Sequence, residues 1–251
     1  MTTVGSTPHG AVVGVPVAAV TGAQVVDIVL GWTTGTRHRP RVAVGINAHV
    51  CNLAATDATF RDDIAAADLA YADGQSVVWA ARLLGTRVPE RVATTDLVYP
   101  LAERSAAEGR AWFFFGGRPG VADEAAARLR SRHPALRIET NDGYVGPDGT
   151  DALVERINRA HVDVLFVGLG DPLQQRWIAE NRHRLQVAAV LSCGGLFDWT
   201  SGGNRRAPQW MIRAGLEWLW RLAIEPRRLA RRYLVGNPAF VWRVLRARLR
   251  S

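Results

Sequence analysis

The chain has 251 residues, 48% hydrophobic and 22% charged, a balance that can bury a core and excludes a wholly disordered chain. All 31 basic residues are arginine, set against 23 acids, for a formal net charge of +8. The excess is uneven: residues 201–251 carry 12 arginines against Glu217 and Glu225 alone, whereas residues 1–200 carry 19 against 21 acids, so a near-neutral body precedes a strongly cationic end.

Met1–Gly10 places no basic residue ahead of an apolar run, and no secretory leader is expected. The first short apolar run, Val12–Val17, reads as a strand, and Thr21 with Gln24 three residues later reads as a capping box opening a helix. Further strands are expected at Arg41–Ile46, Leu69–Ala72, Ala111–Phe115, Leu136–Glu139, Val162–Val167 and Ala188–Cys193. Ala-rich amphipathic segments lie between most of them, at Cys51–Ala66, Gln75–Leu84, Asp96–Glu108, Val121–Arg132, Thr150–Ala160 and Leu173–Arg182. This alternation predicts an α/β fold, a Rossmann-like and mostly parallel sheet with helices on both faces. Past Gly203 the pattern turns to helices only: Pro208–Ile224, then Pro226–Val235, a stop at Gly236-Asn237-Pro238, and Ala239–Leu249. Two parts are therefore expected, an α/β body over residues 1–203 and a basic, Trp-rich helical appendage over 204–251. No uninterrupted apolar run approaches the roughly 20 residues of a spanning helix, so any membrane contact is expected to be peripheral. Two cysteines, Cys51 and Cys193, make neither a disulfide framework nor a zinc site, and a reducing cytosol is the expected setting.

Open α/β sheets bind ligands beyond the carboxyl ends of their strands. Those ends are Asn47-Ala48-His49, Asp73-Gly74, Gly116-Gly117-Arg118-Pro119-Gly120, Gly168-Leu169-Gly170-Asp171-Pro172 and Cys193-Gly194-Gly195-Leu196-Phe197-Asp198. Three are Gly-rich loops of the kind that expose backbone N–H groups to a phosphate. None is a P-loop, since lysine is missing, and none fits the spaced dinucleotide fingerprint. Asp73 has two readings: a plain Asp-Gly turn, or a general base at the ligand end of a strand. His49 reads as a polar loop residue or as a secondary catalytic group. Gln174 and Gln175 cap a helix or bind ligand. The six histidines show no metal-ligand spacing, and there is no Asp-x-Asp to hold a metal-bound nucleoside diphosphate. In the tail, Trp210, Ala214, Trp218 and Leu222 follow helical spacing, while Arg228, Arg231 and Arg232 share a helical face. Tryptophan beside arginine suits an anionic bilayer, a solvated basic face packed on the body, or a nucleic-acid surface, and charge alone does not separate these.

One ordered set of strings runs across nearly the whole chain. It comprises Asn47, Ala72-Asp73-Gly74, Pro89-Glu90-Arg91-Val92, Thr95-Asp96-Leu97, Phe115-Gly116-Gly117, Asp142-Gly143-Tyr144 and Val167-Gly168-Leu169-Gly170. It continues through Pro172 with Gln174, Trp177-Ile178, Gly194-Gly195 with Phe197-Asp198, and Arg206-Ala207-Pro208. Glu217-Trp218-Leu219 with Arg221, Glu225-Pro226 with Arg228, and Arg231-Arg232-Tyr233 complete it. In this order and spacing the strings resemble the WecG/TagA/CpsF family of bacterial glycosyltransferases. The resemblance implies an inverting, metal-independent enzyme without cofactor. Its donor would be a UDP-sugar, typically carrying N-acetylmannosamine or a related hexose. Its acceptor would be a sugar on a polyprenyl diphosphate, in cell-envelope polysaccharide or teichoic acid synthesis. Asp73 is implied as the base, and Asn47 and Gln174 as active-site polar residues. Thr95, Asp96, Gly116, Gly117, Gly168, Gly170, Gly194, Gly195 and Asp198 are implied on the substrate side. Arg221, Arg228 and Arg231 would fold over the site at the inner face of the cell membrane. The resemblance also implies self-association when soluble and no nucleic-acid partner. The chain departs from the usual pattern at Gly45, where threonine is usual, at Thr94, where glycine is, and at Leu173 and Gln175, which replace lysine and glutamate beside Gln174. Beside this reading stand a noncatalytic Rossmann-like protein with a nucleic-acid-docking tail, and a family member with a degenerate site.

Overall fold

The computed structural model describes residues 9–35, 37, 39–146 and 148–250, so most of the N-terminal segment read for a leader lies outside the described residues. One sheet holds β1 (His9–Val12), β2 (Val15–Ala18), β3 (Arg41–Ile46), β4 (Leu69–Ala72), β5 (Ala111–Gly116), β6 (Arg137–Asn141), β7 (Val164–Gly168) and β8 (Ala189–Ser192). The strand order is β1-β2-β4-β3-β8-β7-β5-β6, and every neighbouring pair is parallel except β1 with β2. The α/β expectation therefore holds. The run Ala111–Phe115 shows why the sheet is covered twice: successive side chains of a strand point to opposite faces. Trp112 and Phe114 enter the core on one face with Phe166, while Phe113 and Phe115 enter the other with Leu165 and Val167. The Trp112 and Phe166 rings lie 4.8 Å apart, centroid to centroid, a contact that stiffens the sheet centre.

The body helices are α1 (Gly22–Trp32), α2 (Ala48–Ala54), α3 (Ala58–Ala65), α4 (Gln75–Leu83), α5 (Thr94–Ala107), α6 (Val121–Arg132), α7 (Gly149–Arg159), α8 (Leu173–Asn181) and α9 (Leu196–Thr200). The capping box at the start of α1 is present, with Thr21 Oγ1 accepting the Gln24 N–H at 3.2 Å and the Gln24 side chain returning to the Thr21 N–H at 2.8 Å. The tail adds α10 (Gln209–Arg213), α11 (Glu217–Ile224), α12 (Pro226–Ala230), a π-helical turn over Arg231–Val235, and α13 (Gly236–Arg248).

Four expectations need correction. Val12–Val17 is a hairpin: Val13 and Gly14 adopt φ of 53° and 82°, the positive values a type I′ turn requires. Cys51–Ala66 is two helices, because Asp57 caps α3 by accepting the Phe60 N–H at 3.0 Å. Pro208–Ile224 breaks at Gly215, whose φ is +72° and whose place beside Trp79 admits no side chain, a Cβ there lying 2.7 Å from the Trp79 ring. Gly236-Asn237-Pro238 does not stop the tail. Pro238 falls in the first turn of α13, where a missing N–H costs little, and the wide π turn before it absorbs the change of register.

The tail is bound to the body through both apolar and polar contacts. Phe240 and Val244 are buried in the same core cluster as Val44, Ile46 and Val50. Asn52 Nδ2 donates to the Gly236 carbonyl at 2.7 Å, and Arg206 pairs with Asp96. The tail also exposes Trp210, Leu234, Val235, Trp242, Leu245 and Leu249. Among the described residues, no helix is long and apolar enough to cross a membrane.

Candidate active site

The carboxyl ends of β4, β3, β8 and β7 stand side by side where the strand order changes direction, the position at which open α/β sheets take ligands. A cleft of about 410 Å³ lies over them. The body lines it with Gly45, Asn47, His49, Asp73, Trp79, Arg91, Thr94, Thr95, Gly170, Asp171, Gln174, Gly194, Gly195 and Trp199. The tail closes it with Glu217, Trp218, Arg221, Arg228, Arg232, Tyr233 and Val241.

Asp73 is fixed from both sides of its chain. Its N–H donates to the Ile46 carbonyl at 2.9 Å, and its Oδ1 accepts the Thr94 N–H at 2.8 Å and the Thr94 hydroxyl at 3.1 Å. The carboxylate thus sits at the N-terminus of α5, where exposed N–H groups favour negative charge. Its Oδ2 has no hydrogen-bond partner among the described residues and is the oxygen left for a ligand. The Tyr71 hydroxyl lies 2.8 Å from Thr94 Oγ1, and burial, then the Asp73 carboxylate, push this phenol above its ordinary range.

Gly45 and Thr94 form a complementary pair. A Cβ at Gly45 would stand 3.0 Å from Asp73 Cβ and 3.2 Å from Thr94 Oγ1. The hydroxyl beside the carboxylate therefore comes from Thr94, and the space it needs is the space Gly45 leaves. Gly45→Thr alone is expected to lower stability by about 1–3 kcal/mol through overpacking. Adding Thr94→Gly should restore the part that comes from the Thr94 contact, with the Asp73 contact remaining, as read from thermal melts of both variants. A Gly45→Thr protein melting with the wild type would show that the two positions are not coupled.

Asn47 caps α2, its Oδ1 accepting the N–H groups of His49 and Val50 at 3.0 and 3.2 Å, which leaves Nδ2 to donate into the cleft. Burial first, then the Arg232 charge, lower the His49 pKa against an opposing pull from Asp171, so the imidazole is neutral near pH 7. Gln174 is buried with both ends of its amide in use: Oε1 accepts the Gly194 N–H at 2.9 Å and Nε2 donates to Asp171 Oδ1 at 2.8 Å. It ties the loops after β7 and β8 together, which is scaffolding.

Arg91, Trp79 and Arg232 were not singled out for the site by sequence pattern. Arg91 Nε donates to the Asp73 carbonyl at 3.0 Å, and its Nη2 pairs with Glu217 at 2.6 Å, with both side chains largely buried. One guanidinium thus fastens α11 of the tail to the loop carrying Asp73. Among the described residues Arg221 and Arg232 make no ion pair, and the Nε of each is buried without a hydrogen bond. The Arg221 guanidinium lies 5.5 Å from the centre of the Trp199 ring, and Arg232 Nη2 reaches Asn47 Oδ1 at 3.4 Å. Burial pulls Arg232 below the usual arginine range. Arg228 differs in being paired with Glu225, whose carboxyl it holds below the usual range.

Six of the expected site residues lie outside this cleft. Arg231 is exposed, because the π turn begins there and α-helical spacing from Arg228 does not carry past it; Arg232 enters instead. The Asp96 carboxylate is taken by Arg206. Gly116, Gly117, Gly168 and Asp198 gather at the adjoining ends of β5 and β7 and in α9. A Cβ at Gly116 would meet the Gly168 carbonyl at 2.4 Å, and one at Gly168 the Gly194 carbonyl at 2.8 Å, so these glycines let three strand ends converge. The Gly143 N–H donates to the Gly117 carbonyl at 2.8 Å and brings the exposed Tyr144 to the same rim. Among the described residues no three His, Cys, Asp or Glu side chains gather as a metal site requires. Cys51 and Cys193 are free and buried; burial pushes the Cys51 thiol up to about 12 and raises Cys193 as well, which makes both inert.

A doubly covered parallel sheet with a polar cleft across its strand ends is the layout of an α/β enzyme. The chain belongs to the glycosyl transferase WecG/TagA/CpsF family, whose model matches residues 11–251, and it is a glycosyltransferase. It is similar to the N-acetylglucosaminyldiphosphoundecaprenol N-acetyl-beta-D-mannosaminyltransferase of Bacillus subtilis (strain 168), with 32% identity over 202 residues, 80% of this chain and 77% of the relative.

Proposed function

We propose that this glycosyltransferase moves a hexose, N-acetylmannosamine or a close relative, from a UDP-sugar to a sugar carried on a polyprenyl diphosphate, in cell-envelope polysaccharide or teichoic acid synthesis. The acceptor reading rests on the name of the Bacillus relative. The observation that carries the chemistry is a cleft holding a carboxylate, on Asp73, with one oxygen unpartnered among the described residues, and two guanidiniums, on Arg221 and Arg232, that make no ion pair among them.

The acceptor hydroxyl oxygen attacks the anomeric carbon as the bond from that carbon to the diphosphate oxygen breaks. The hydroxyl proton passes to Asp73 Oδ2, and the bonding pair leaves on UDP. Attack opposite the leaving group inverts the anomeric centre. Arg221, Arg228 and Arg232 take up the charge that builds on the diphosphate, the task a metal performs elsewhere, so the reaction needs no metal or other cofactor. Asn47 and Thr95 hold sugar or phosphate oxygens, and the N–H groups of Gly170 and Gly195 face the diphosphate, while the Gly194 N–H is held by Gln174 Oε1. Gln174 keeps those loops in place. The rim of Gly116, Gly117, Gly168 and Asp198 is the nucleotide side, and Asp96 anchors the tail through Arg206.

The exposed Trp242, Leu245, Leu249 and Trp210, interleaved with Arg231 and Arg246, suit a peripheral seat on an anionic bilayer, where the lipid-linked acceptor resides. Nucleic acid fits such an apolar face poorly. Covering the same face accounts for self-association when the protein is soluble, and the cytoplasmic side of the membrane supplies UDP-sugars. The test is UDP release from a panel of UDP-hexoses, with and without a short-chain polyprenyl diphosphate sugar. Acceptor-dependent release that persists in chelator, with an inverted product linkage, is expected; no release from any donor in the presence of acceptor would refute the reading.

A further inference from the structure

The cleft contains a second carboxylate, one oxygen of which is held by two side-chain amides. Asp171 lies in the loop between β7 and α8 and lines the cleft beside Gly170. Its Oδ1 accepts two amide hydrogens, from Gln174 Nε2 at 2.8 Å and from Gln175 Nε2 at 2.7 Å. Both glutamines are only 4% exposed. Gln174 is itself held by the Gly194 N–H, so the support reaches across to the loop after β8. Among the described residues the Gln175 Oε1 is buried with no hydrogen bond, a cost accepted while its Nε2 holds Asp171. Asp171 Oδ2 has no partner among the described residues.

A carboxylate that is pinned through one oxygen and open through the other is built to accept a hydrogen bond from a ligand. The ligand group is not phosphate, because a second anion there would be repelled. Arg232, which lines the same cleft and reaches Asn47 Oδ1 at 3.4 Å, sets the opposite polarity nearby. The cleft is thus polarised, with guanidiniums for an anion and Asp171 for a donor of hydrogen bonds. Asp73 supplies a second open carboxylate oxygen, but it is committed to the proton of the attacking hydroxyl.

We infer that Asp171 is a specificity-determining residue whose free oxygen accepts a hydrogen bond from a hydroxyl or amide N–H of a sugar, either the hexose being transferred or the sugar of the acceptor. This rests on the transferase reading above. A site that orients a half-buried acceptor for one hydroxyl disfavours a sugar lacking it, since the bound sugar would cover the carboxylate and leave it unpaired.

Asp171→Asn keeps a carbonyl oxygen for the two glutamine amides while presenting a donor, or a neutral acceptor, to the sugar. Steady-state kinetics of this variant are run with donor and acceptor varied in turn, alongside UDP binding and a thermal melt. The expected result is a rise of about 10- to 100-fold in the KM of one substrate, the size of losing a charged hydrogen bond. UDP affinity and melting should stay as in the wild type. The substrate affected identifies the sugar, and deoxy analogues of that sugar should lose their disadvantage in the variant. Unchanged KM for both substrates would overturn the inference, as would a parallel loss of UDP affinity, which would mean that the loop had merely shifted. Failure of the wild type to release UDP from any donor would instead sink the transferase reading, and this inference with it.

Discussion

Asp73→Asn is expected to lower turnover about 10²- to 10⁴-fold, the usual contribution of a positioned general base, while UDP remains bound. The substitution is chosen because the rest of the local structure survives it. The amide oxygen of asparagine still accepts the N–H and hydroxyl of Thr94, so the start of α5 and the Ile46 contact remain in place. What changes is the group at Oδ2, which becomes an NH₂ unable to take a proton from the attacking hydroxyl. Steady-state UDP release together with calorimetric UDP binding separates the two effects. Turnover near the wild-type rate would remove Asp73 from the role of base. Asp73→Ala is the poorer experiment, since it also strips two hydrogen bonds from the α5 N-terminus and confounds chemistry with packing.

Much of this was legible before any coordinates. Uniformly apolar runs such as Ala111–Phe115 mark strands buried on both faces, and the helical segments between them fix a parallel sheet. The strand-end rule then picks out Asn47 and Asp73, because their positions depend only on where β3 and β4 finish. The Gly-rich loops were legible as loops, but their physical reason was not. Gly116 and Gly168 are required because three backbones converge there, and that convergence involves residues far apart in the chain.

What sequence left unread depends on how the tail lies. Arg91 matters because Glu217, 126 residues later, folds back onto it, and no local pattern carries that pairing. Trp79 lines the cleft because Gly215 brings the tail against its ring. Gln174 was legible as a polar residue at a strand end, yet the direction of its amide, into the scaffold, is set by Asp171 and Gly194. The departures at 45, 94 and 175 also make better sense in three dimensions. Thr94 supplies a hydroxyl where Gly45 has none, and Asp171 supplies a carboxylate against the amide of Gln175.

Arg232→Gln is expected to reduce kcat about 10²- to 10³-fold, the scale of removing one preorganised donor from a developing anion. The argument starts from electrostatics. A half-buried guanidinium is costly unless an opposite charge accompanies it, and breaking such a pair leaves the survivor exposed to that cost. Arg228 has Glu225 as its ion-pair companion, whereas Arg232 makes no ion pair among the described residues, and its Nε is buried there without a hydrogen bond. Burial disfavours its charged form and the Arg221 charge adds to this, against opposing pulls from Tyr233, Asp171 and Asp73 that do not fully offset it. An arriving diphosphate relieves both terms at once, and relieves them further as its charge grows during bond cleavage. Removing Arg232 should therefore depress kcat as well as UDP affinity. Arg231→Gln, one residue earlier but facing solvent, should keep turnover within about threefold on a water-soluble acceptor, where no bilayer charge is involved. Deleting the tail is the less informative experiment, because it would pull Phe240 and Val244 out of the core as well as removing the arginines. If Arg231→Gln instead proved the crippled variant and Arg232→Gln the silent one, the π turn at Arg231–Val235 would not be the conformation that binds the donor.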